Sequence, residues 1–526
     1  MAKMADYQII AESIRTYWAS RKLALLKYWD FYYGDSQRYY FDKFEGEDEQ
    51  EYNNRVINAI VENHCAKTCD VLVSYLYGQP GAKSRVKVRA VDAEGEIISQ
   101  LQELLGEVWE YNDLDSLRID LALMSSVTGL GIVYKQYVDS ETGLPFESDV
   151  APEIKKKQGI VRYELFDTVD TMPLPIIDSK GVIYPRLLGG IVRFYNLDNF
   201  SGNTFLDRLM DKRWAQEEIL EVFDGQKFIR SRIVTGENKP EIIDSVNNPY
   251  GNINTAFTLF RNYGDPMYLE GASDLAQMVS LQNALNGLVN DDKMTIDYHT
   301  FPILALMGGA KLPANFVRKV NSVLEMDTGQ DAKYLTWDNV LEASANKQDS
   351  IRKQMTVVGG VSQISRGNAE TIGQVRSGAG LKTLFQADIN TIALKIPHFK
   401  KAERELAKST LKMLAVERGI KLPDYYRIEV EFPDDFVGLD ELLKAQVEQM
   451  DLANGVRTHR EVIKSKHADI MSEEQVEDII EENIEVRKKI VEAEKPPVQV
   501  TPGVKPGETS QAKSNEQGAG SADQDS

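Results

Sequence analysis

The chain has 526 residues, 42% of them hydrophobic and 27% charged, and a formal net charge of −20. That balance belongs to a soluble globular protein long enough for several domains and a sizeable core. The acidic excess argues against a basic DNA-wrapping protein, because neutralising phosphates takes clustered Lys and Arg, yet it is compatible with a surface past which DNA slides ungripped.

Taken in chain order, residues 7–34 form a predicted amphipathic helix that ends in Tyr28-Trp29-Asp30-Phe31-Tyr32-Tyr33-Gly34, with Gly34 able to stop it in a left-handed conformation. After a charged loop, a second helix is predicted from about Arg55 to Leu76, with Val56, Ile60, Val71 and Leu72 as its apolar positions. Gly78-Gln79-Pro80-Gly81 closes it with turn chemistry, and Ser84 to Ala90 alternates as a strand. Residues 93–128 form a helical pair. From Gly129 to about Gly236 the period becomes two, with strand-like runs at 132–134, 160–163, 190–195 and 219–223 separated by turn signals. This is a mainly antiparallel β region.

A long helix follows, with Ser273 as its expected N-cap and Asp274 in its first turn. Leu275, Met278, Leu281, Leu285 and Leu288 recur every three or four residues, and continuation to Tyr298 would make the helix about 40 Å long. Residues 300–339 read as a compact insertion with a short helix near 315–324, and helical pattern returns at 340–357. Gly359-Gly360 through Gly380 is a polar, glycine- and serine-rich loop. The next helix carries Leu381, Phe385, Ile389, Ile392, Ile396, Phe399 and Leu406 on one face, and Pro397 should kink it. Residues 425–432 alternate as a strand. The acidic stretch 439–494 is helical, and 495–526 is too poor in large apolar residues to fold.

Cys65 and Cys69 are the only cysteines, in His64-Cys65-Ala66-Lys67-Thr68-Cys69. They read as two buried thiols one helical turn apart, because a zinc site needs four ligands and a second pair elsewhere. His299, His398, His459 and His467 have no metal spacing. No cofactor or metal is expected, and this cysteine usage fits a reducing compartment. The start of the chain has no apolar signal core. Its longest apolar run, about Phe301 to Met307, is far short of the roughly 20 residues of a membrane helix, so a cytoplasmic, soluble product without membrane association is expected.

No Gly-x-x-x-x-Gly-Lys-Ser/Thr loop, His-Glu-x-x-His or Gly-x-Ser-x-Gly is present, so the chain reads as a non-enzyme. Gly129-Leu130-Gly131 lacks the third glycine of a dinucleotide fingerprint. Asp291 and Asp292 are conceivable nuclease ligands, but an exposed polar helix face explains them more simply. Gly359-Gly360 reads as a connector before it reads as a phosphate cradle.

Four segments resemble the portal proteins of long-tailed bacteriophages. Trp29-Asp30-Phe31-Tyr32-Tyr33-Gly34 is similar to that family's aromatic-Tyr-Tyr-x-Gly element. Asn54-Arg55-Val56-Ile57-Asn58 with Ser74-Tyr75-Leu76-Tyr77-Gly78-Gln79-Pro80 resembles its Asn-Arg … Ser-Tyr-Leu-x-Gly-x-Pro block. Gly271-Ala272-Ser273-Asp274-Leu275, followed by Leu281-Gln282-Asn283-Ala284-Leu285-Asn286, resembles the opening of its stem helix. Ser377-Gly378-Ala379-Gly380-Leu381-Lys382 is similar to the start of the helix after its tunnel loop. The four occur in the family's order between about residues 23 and 385. Gly380 and Pro397 depart from the family pattern, and Pro397 argues against a straight tunnel helix.

The resemblance implies an α+β fold: a mainly helical portal fold of wing, stem, clip and crown, with a mostly antiparallel β region in the wing. It places the wing at 1–270, a stem helix at 271–299, the clip at 300–339, a second stem helix at 340–358 and the tunnel loop at 359–377. The tunnel helix and wing return take 378–438, the crown takes 439–494, and the tail 495–526 is disordered. It implies a homo-oligomeric ring of about twelve subunits at one capsid vertex of the virion, assembled in the host cytoplasm. Its implied partners are the terminase large subunit, the major capsid and scaffolding proteins, the head-tail adaptor, and duplex DNA passing without sequence specificity. Candidate DNA-channel residues are Arg366 and Arg376 in the loop and Lys347, Arg352 and Lys353 on the second stem helix. The competing readings are another head-tail structural protein, a metal-dependent nuclease using Asp291 and Asp292, and a plain scaffold.

Overall fold

The protein is described by a computed structural model covering residues 4–78, 86–147, 150–177, 182–196, 217–234, 241–264, 269–300, 303–307, 331–335, 340–362, 365 and 385–433. The chain divides into two units, Met1–Gly438 and Leu439–Ser526, and every described residue belongs to the first. The acidic helices expected at 439–494, the tail, and the short helix at 315–324 therefore lie outside the described residues.

Helix α1 (Met4–Tyr33) stops at Gly34, whose φ of 92° is open to glycine and costly for other residues. Asp48 starts α2 (Glu49–Ile57) through a capping box with Glu51. The single helix expected over 55–76 is in fact two, because α2 ends at Ile57 and α3 (His64–Tyr77) begins only after Asn63, whose side chain accepts from Ala66 N at 3.1 Å. Ile60, expected on the apolar face, lies in the connecting segment and is 46% exposed. Strand β1 (Lys87–Val91), α4 (Ser99–Tyr111) and α5 (Leu114–Thr128) follow as the periodicity predicts.

The β region comprises β2 (Leu130–Asp139), a short helix α6 (Pro152–Gln158), β3 (Gly159–Phe166), β4 (Thr171–Ile177), β5 (Ile183–Asn196), β6 (Glu217–Asp224), β7 (Lys227–Val234) and β8 (Glu241–Asn247). The β region runs beyond the predicted limit at Gly236. After the one-turn helix α7 (Ile253–Ala256), β9 (Phe257–Arg261) joins the far edge of β2. Two antiparallel sheets result, ordered β3-β2-β9 and β4-β5-β6-β7-β8. Pro173 and Pro175 sit on edge strand β4, where a missing N–H leaves no ladder bond unmade.

Helix α8 (Met278–Thr300), hairpin strands β10 (Ile303–Met307) and β11 (Asp331–Leu335), α9 (Val340–Gly359), α10 (Gln386–Arg418) and β12 (Arg427–Glu431) complete the unit. Strand β12 pairs antiparallel with β1, from Lys87↔Glu431 to Val91↔Arg427, joining residues more than 300 positions apart. Pro397 lies inside α10, which continues past it to Arg418.

Three larger cores and a small cluster of Val192, Phe194 and Leu220 hold these elements. The largest packs α3, α4, α5 and α10 on the smaller sheet through residues such as Leu72, Leu101, Leu121, Phe260, Phe399 and Leu411. A second gathers Phe31, Cys65, Cys69, Leu275, Met278, Leu285 and Met355, tying α1 and α3 to α8 and α9. Both cysteines are fully buried and form no disulfide, as their spacing suggested. The third stacks Tyr134, Phe166, Phe223 and Phe257 between the two sheets. Burying each such ring favours folding by about 1.5–3 kcal/mol.

Candidate functional site: the root of α8 and the start of the following loop

Segment 58–63 has no ladder partner of its own, yet side chains satisfy backbone polar groups at every second residue, Asn58, Ile60 and Glu62. Three buried amide side chains on α8, Gln282, Asn286 and Asn290, stand one above another at four-residue spacing. Asn290 Oδ1 accepts from Ile60 N at 2.8 Å while its Nδ2 donates to Ile60 O at 2.8 Å. Asn286 Oδ1 accepts from Glu62 N at 3.2 Å. Gln282 Oε1 accepts from His64 N at 3.1 Å and its Nε2 donates to Glu62 O. Four helical residues rise about 6.0 Å and two extended residues about 6.6 Å, so every second residue of the segment meets an amide. Asn286 Nδ2 also donates to Gln37 Oε1 at 2.6 Å, and Lys293 Nζ donates to Asn58 O at 2.6 Å. The helix break at 58–63 is thus enforced by side chains more than 200 positions away.

The segment Gly271-Ala272-Ser273-Asp274 anchors the base of α8. Gly271 crosses Gly129 so closely that a Cβ on Gly129 would stand 2.3 Å from Gly271 O. Ser273 Oγ donates to Val127 O at 2.5 Å and accepts from Leu275 N at 3.0 Å. Regular helix begins only at Met278, five residues after the expected cap, because Ser273 and Asp274 are engaged with the end of α5. Asp274 is not a solvated first-turn acid. Its Oδ2 accepts from Ser126 Oγ at 2.5 Å and from the Lys395 ammonium of α10, which also donates to Asn262 Oδ1 at 2.6 Å. Lys395 is 0% exposed and Asp274 6%. Burial, then the Asp274 charge, pushes the neighbouring Cys69 thiol well above its ordinary range.

A second buried pair lies one helical stretch further along α10. Glu403 receives Arg118 Nε at 2.8 Å, Arg118 Nη2 at 2.9 Å and Tyr77 Oη at 2.9 Å. Burial, the largest influence, favours the neutral guanidinium, but the Glu403 charge and hydrogen bonds together with the Tyr77 and Asp115 charges outweigh it and raise Arg118, while burial and Glu403 push Tyr77 well up. Neither charged α10 residue was singled out from the sequence.

Asp388, 1% exposed, fixes where the chain leaves α9. Its Oδ1 accepts from Ser362 N at 2.7 Å and its Oδ2 from Ser365 Oγ at 2.8 Å, and Ser365 Oγ meets Tyr75 Oη at 2.9 Å. Thr391 Oγ1 donates to Gly360 O at 3.0 Å.

Of the five candidate channel cations, Arg366 and Arg376 lie outside the described residues. Lys347, Arg352 and Lys353 are all on α9 and point in different directions. Arg352 is turned inward, donating to Glu62 at 2.8 and 3.1 Å and to Asp349 at 2.9 Å. Burial alone would raise the Glu62 carboxyl, but hydrogen bonds from Arg352 and His64 bring it below its ordinary range. Lys347 and Lys353 are exposed. At roughly 100° per residue they stand about 120° apart, and Lys353 is opposite the buried Ile351 and Met355. Asp292 accepts from Gln348 at 2.6 Å, which binds α8 to α9. Among the described residues no group of three or more His, Cys, Asp or Glu is placed to hold a metal ion, and no helix is long and apolar enough to cross a membrane.

Residues 190–489, more than half of the chain, match the family described as "Phage portal protein, SPP1 Gp6-like". The chain belongs to this phage portal protein family. The architecture is α+β, and the family match runs from within β5 through β12, taking in both α8 and α9. Similar solved structures include a chain titled "Neck of native GTA particle computed with C12 symmetry", with 13% identity over 75% of this chain and 85% of that one and a TM-score of 0.39. Another, "Neck of empty GTA particle computed with C6 symmetry", has 12% identity over 76% and 87%, with a TM-score of 0.40. A third, "Virion of native gene transfer agent (GTA) particle", has 10% identity over 74% and 85%, with a TM-score of 0.38. No curated protein matches the chain.

Proposed function

We propose that the chain is the ring subunit of a portal at a single capsid vertex, forming the channel through which duplex DNA is packaged and later ejected. The portal-family match over residues 190–489 carries this reading. About twelve copies close head to tail. The terminase large subunit docks during packaging and the head-tail adaptor afterwards, and the major capsid and scaffolding proteins surround the ring as it assembles in the host cytoplasm. The chain itself does no chemistry.

In this reading 1–270 makes the wing, α8 and α9 with their flanks (271–299 and 340–358) the stem, 300–339 the clip, 359–377 the tunnel loop, 378–438 the tunnel helix and wing return, and 439–494 the crown. DNA carries about one negative charge per 1.7 Å of axis, so an acidic channel wall repels it evenly and prevents sticking, while sparse cations centre it. Lys353, facing away from the subunit core, and Lys347 are the stem cations suited to that task, with Arg366 and Arg376 in the loop. Arg352 is bound to Glu62 and would have to release it to reach DNA, so its role is to hold α9 against segment 58–63. The Asp388 bonds fix the position from which the loop departs.

Electron microscopy of the purified full chain, mixed with its capsid and scaffolding partners, tests the proposal. End-on averages should show rings of about twelve subunits around a channel wide enough for duplex DNA. Monomers or closed small oligomers without a channel in that mixture would overturn it.

A further inference from the structure

One face of α10 carries positive charge that the packing above does not use. Lys401, Arg404, Lys408 and Lys412 are exposed. At roughly 100° per residue they fall within an arc of about 80°, turned away from the buried Phe399, Leu406 and Met413. Glu405, at the edge of the arc, lies 3.7 Å from Lys401. Lys408 and Lys412 have no ion pair among the described residues, and Arg404 spends only its Nε, on Ile428 O at 3.2 Å.

The row continues past the end of the helix. Gly419, the left-handed C-cap of α10, is five helical turns from Lys401 and so on the same line. Lys156 of α6 lies over it, with Nζ 3.6 Å from the place a Cβ would occupy. Lys157 beside it is also exposed. Lys401, Arg404, Lys408, Lys412 and Lys156 thus line a ridge about 27 Å long, with Lys157 and Glu405 at its edges, on a chain whose net charge is −20.

We propose that this ridge, on the wing-return half of α10 beyond Pro397, holds the phosphate backbone of duplex DNA at a site separate from the channel. This inference rests on the portal reading. A straight, rigid row of like charges fits a straight polyanion with regular charge, and duplex DNA presents about 16 charges over that length. An acidic peptide would first have to be ordered along the same line, at a conformational cost per residue that DNA does not incur. Lysines dominate the row and act as point charges, so contact is with phosphates and carries no sequence preference.

Covalently closed circles of duplex DNA cannot thread a preformed ring, so their binding to assembled, full-length rings isolates this surface from the channel. The measurement is their affinity across a series of salt concentrations. Replacing Lys401, Lys408 and Lys412 by Gln should weaken binding and reduce the slope of log K against log salt by about 2.7, at roughly 0.9 per phosphate contact. A matched variant with Lys43, Lys67 and Lys227 replaced by Gln, which changes net charge equally, should bind as the parent does. Equal slopes for the ridge variant and the parent, equal losses in both variants, or no binding of circles by parent rings would each overturn the inference. In those cases, rings visible by microscopy leave the portal reading standing. Absence of rings removes both.

Discussion

Replacing Lys395 by Met keeps the length of the side chain and removes its charge, leaving Asp274 buried with the Ser126 hydroxyl but no cation. Deleting one partner of a buried ion pair costs about 3–5 kcal/mol, chiefly because the remaining charge is uncompensated. The loss should be concentrated where α5, α8 and α10 meet, and the chain has a built-in reporter there. Its only two cysteines, Cys65 and Cys69, are 0% exposed within the same core. Where closing outpaces labelling, the rate of thiol modification in the native protein follows the population of the opened root. At about 1.4 kcal/mol per tenfold, Lys395→Met should label at least a hundredfold faster than the parent. Adding Asp274→Asn removes the stranded charge and should recover much of that increase. A Lys395→Met rate within threefold of the parent would refute the argument that this pair fastens the root of α8.

Asn286→Leu leaves Glu62 N and Gln37 Oε1 without partners. At about 1–3 kcal/mol for each buried group so stranded, the midpoint of denaturant unfolding should fall and proteolysis should begin within 58–63. An unchanged cleavage pattern would count against the amide ladder. Lys135, 1% exposed beside Thr258, has its ammonium pushed well below the ordinary lysine range by burial. The unfolded chain therefore takes up a proton there that the folded chain refuses, so stability falls as pH drops from above about 10.4 towards the folded value and then levels off. Lys135→Met should be more stable than the parent at pH 7, with an advantage that shrinks by pH 10.5. A destabilised Met variant would show that the hydrogen bond from the amine to Thr258 outweighs the cost of burying it.

Elements whose causes are local were readable from the sequence. Gly34 stops α1 through its own backbone, alternation reports strands that bury one face, and two cysteines four residues apart on an apolar helix face are buried together. The break at 58–63 was not readable in this way. Val56 and Ile57 continue an apolar pattern towards α3, and the amides that hold the segment extended lie on α8. Ser273 has the composition of an N-cap and does accept from Leu275 N, but its hydroxyl also serves Val127 O, so regular helix starts later. Lys395 and Glu403 left a signal that was passed over: Ile392, Lys395, Phe399, Ala402 and Leu406 follow one buried stripe at spacings of three and four. A charge in such a stripe needs a buried partner, and a search for one would have led to Asp274 and Arg118. The positions of Lys347, Arg352 and Lys353 around α9 could not be read without knowing which face meets α8.

The ladder of Gln282, Asn286 and Asn290 behaves as a vernier. Its two scales differ by about 0.6 Å per rung, so they coincide over only a few divisions before the offset exceeds what a hydrogen bond tolerates. At the next division, a four-residue step from Asn290, the chain has Met294, and residue 58 is reached instead by the long, adjustable side chain of Lys293. Towards the other end, the coil has already wound into α3 by Ala66. A docked segment of this kind limits its own length, because lengthening it would add backbone groups that fall between the marks.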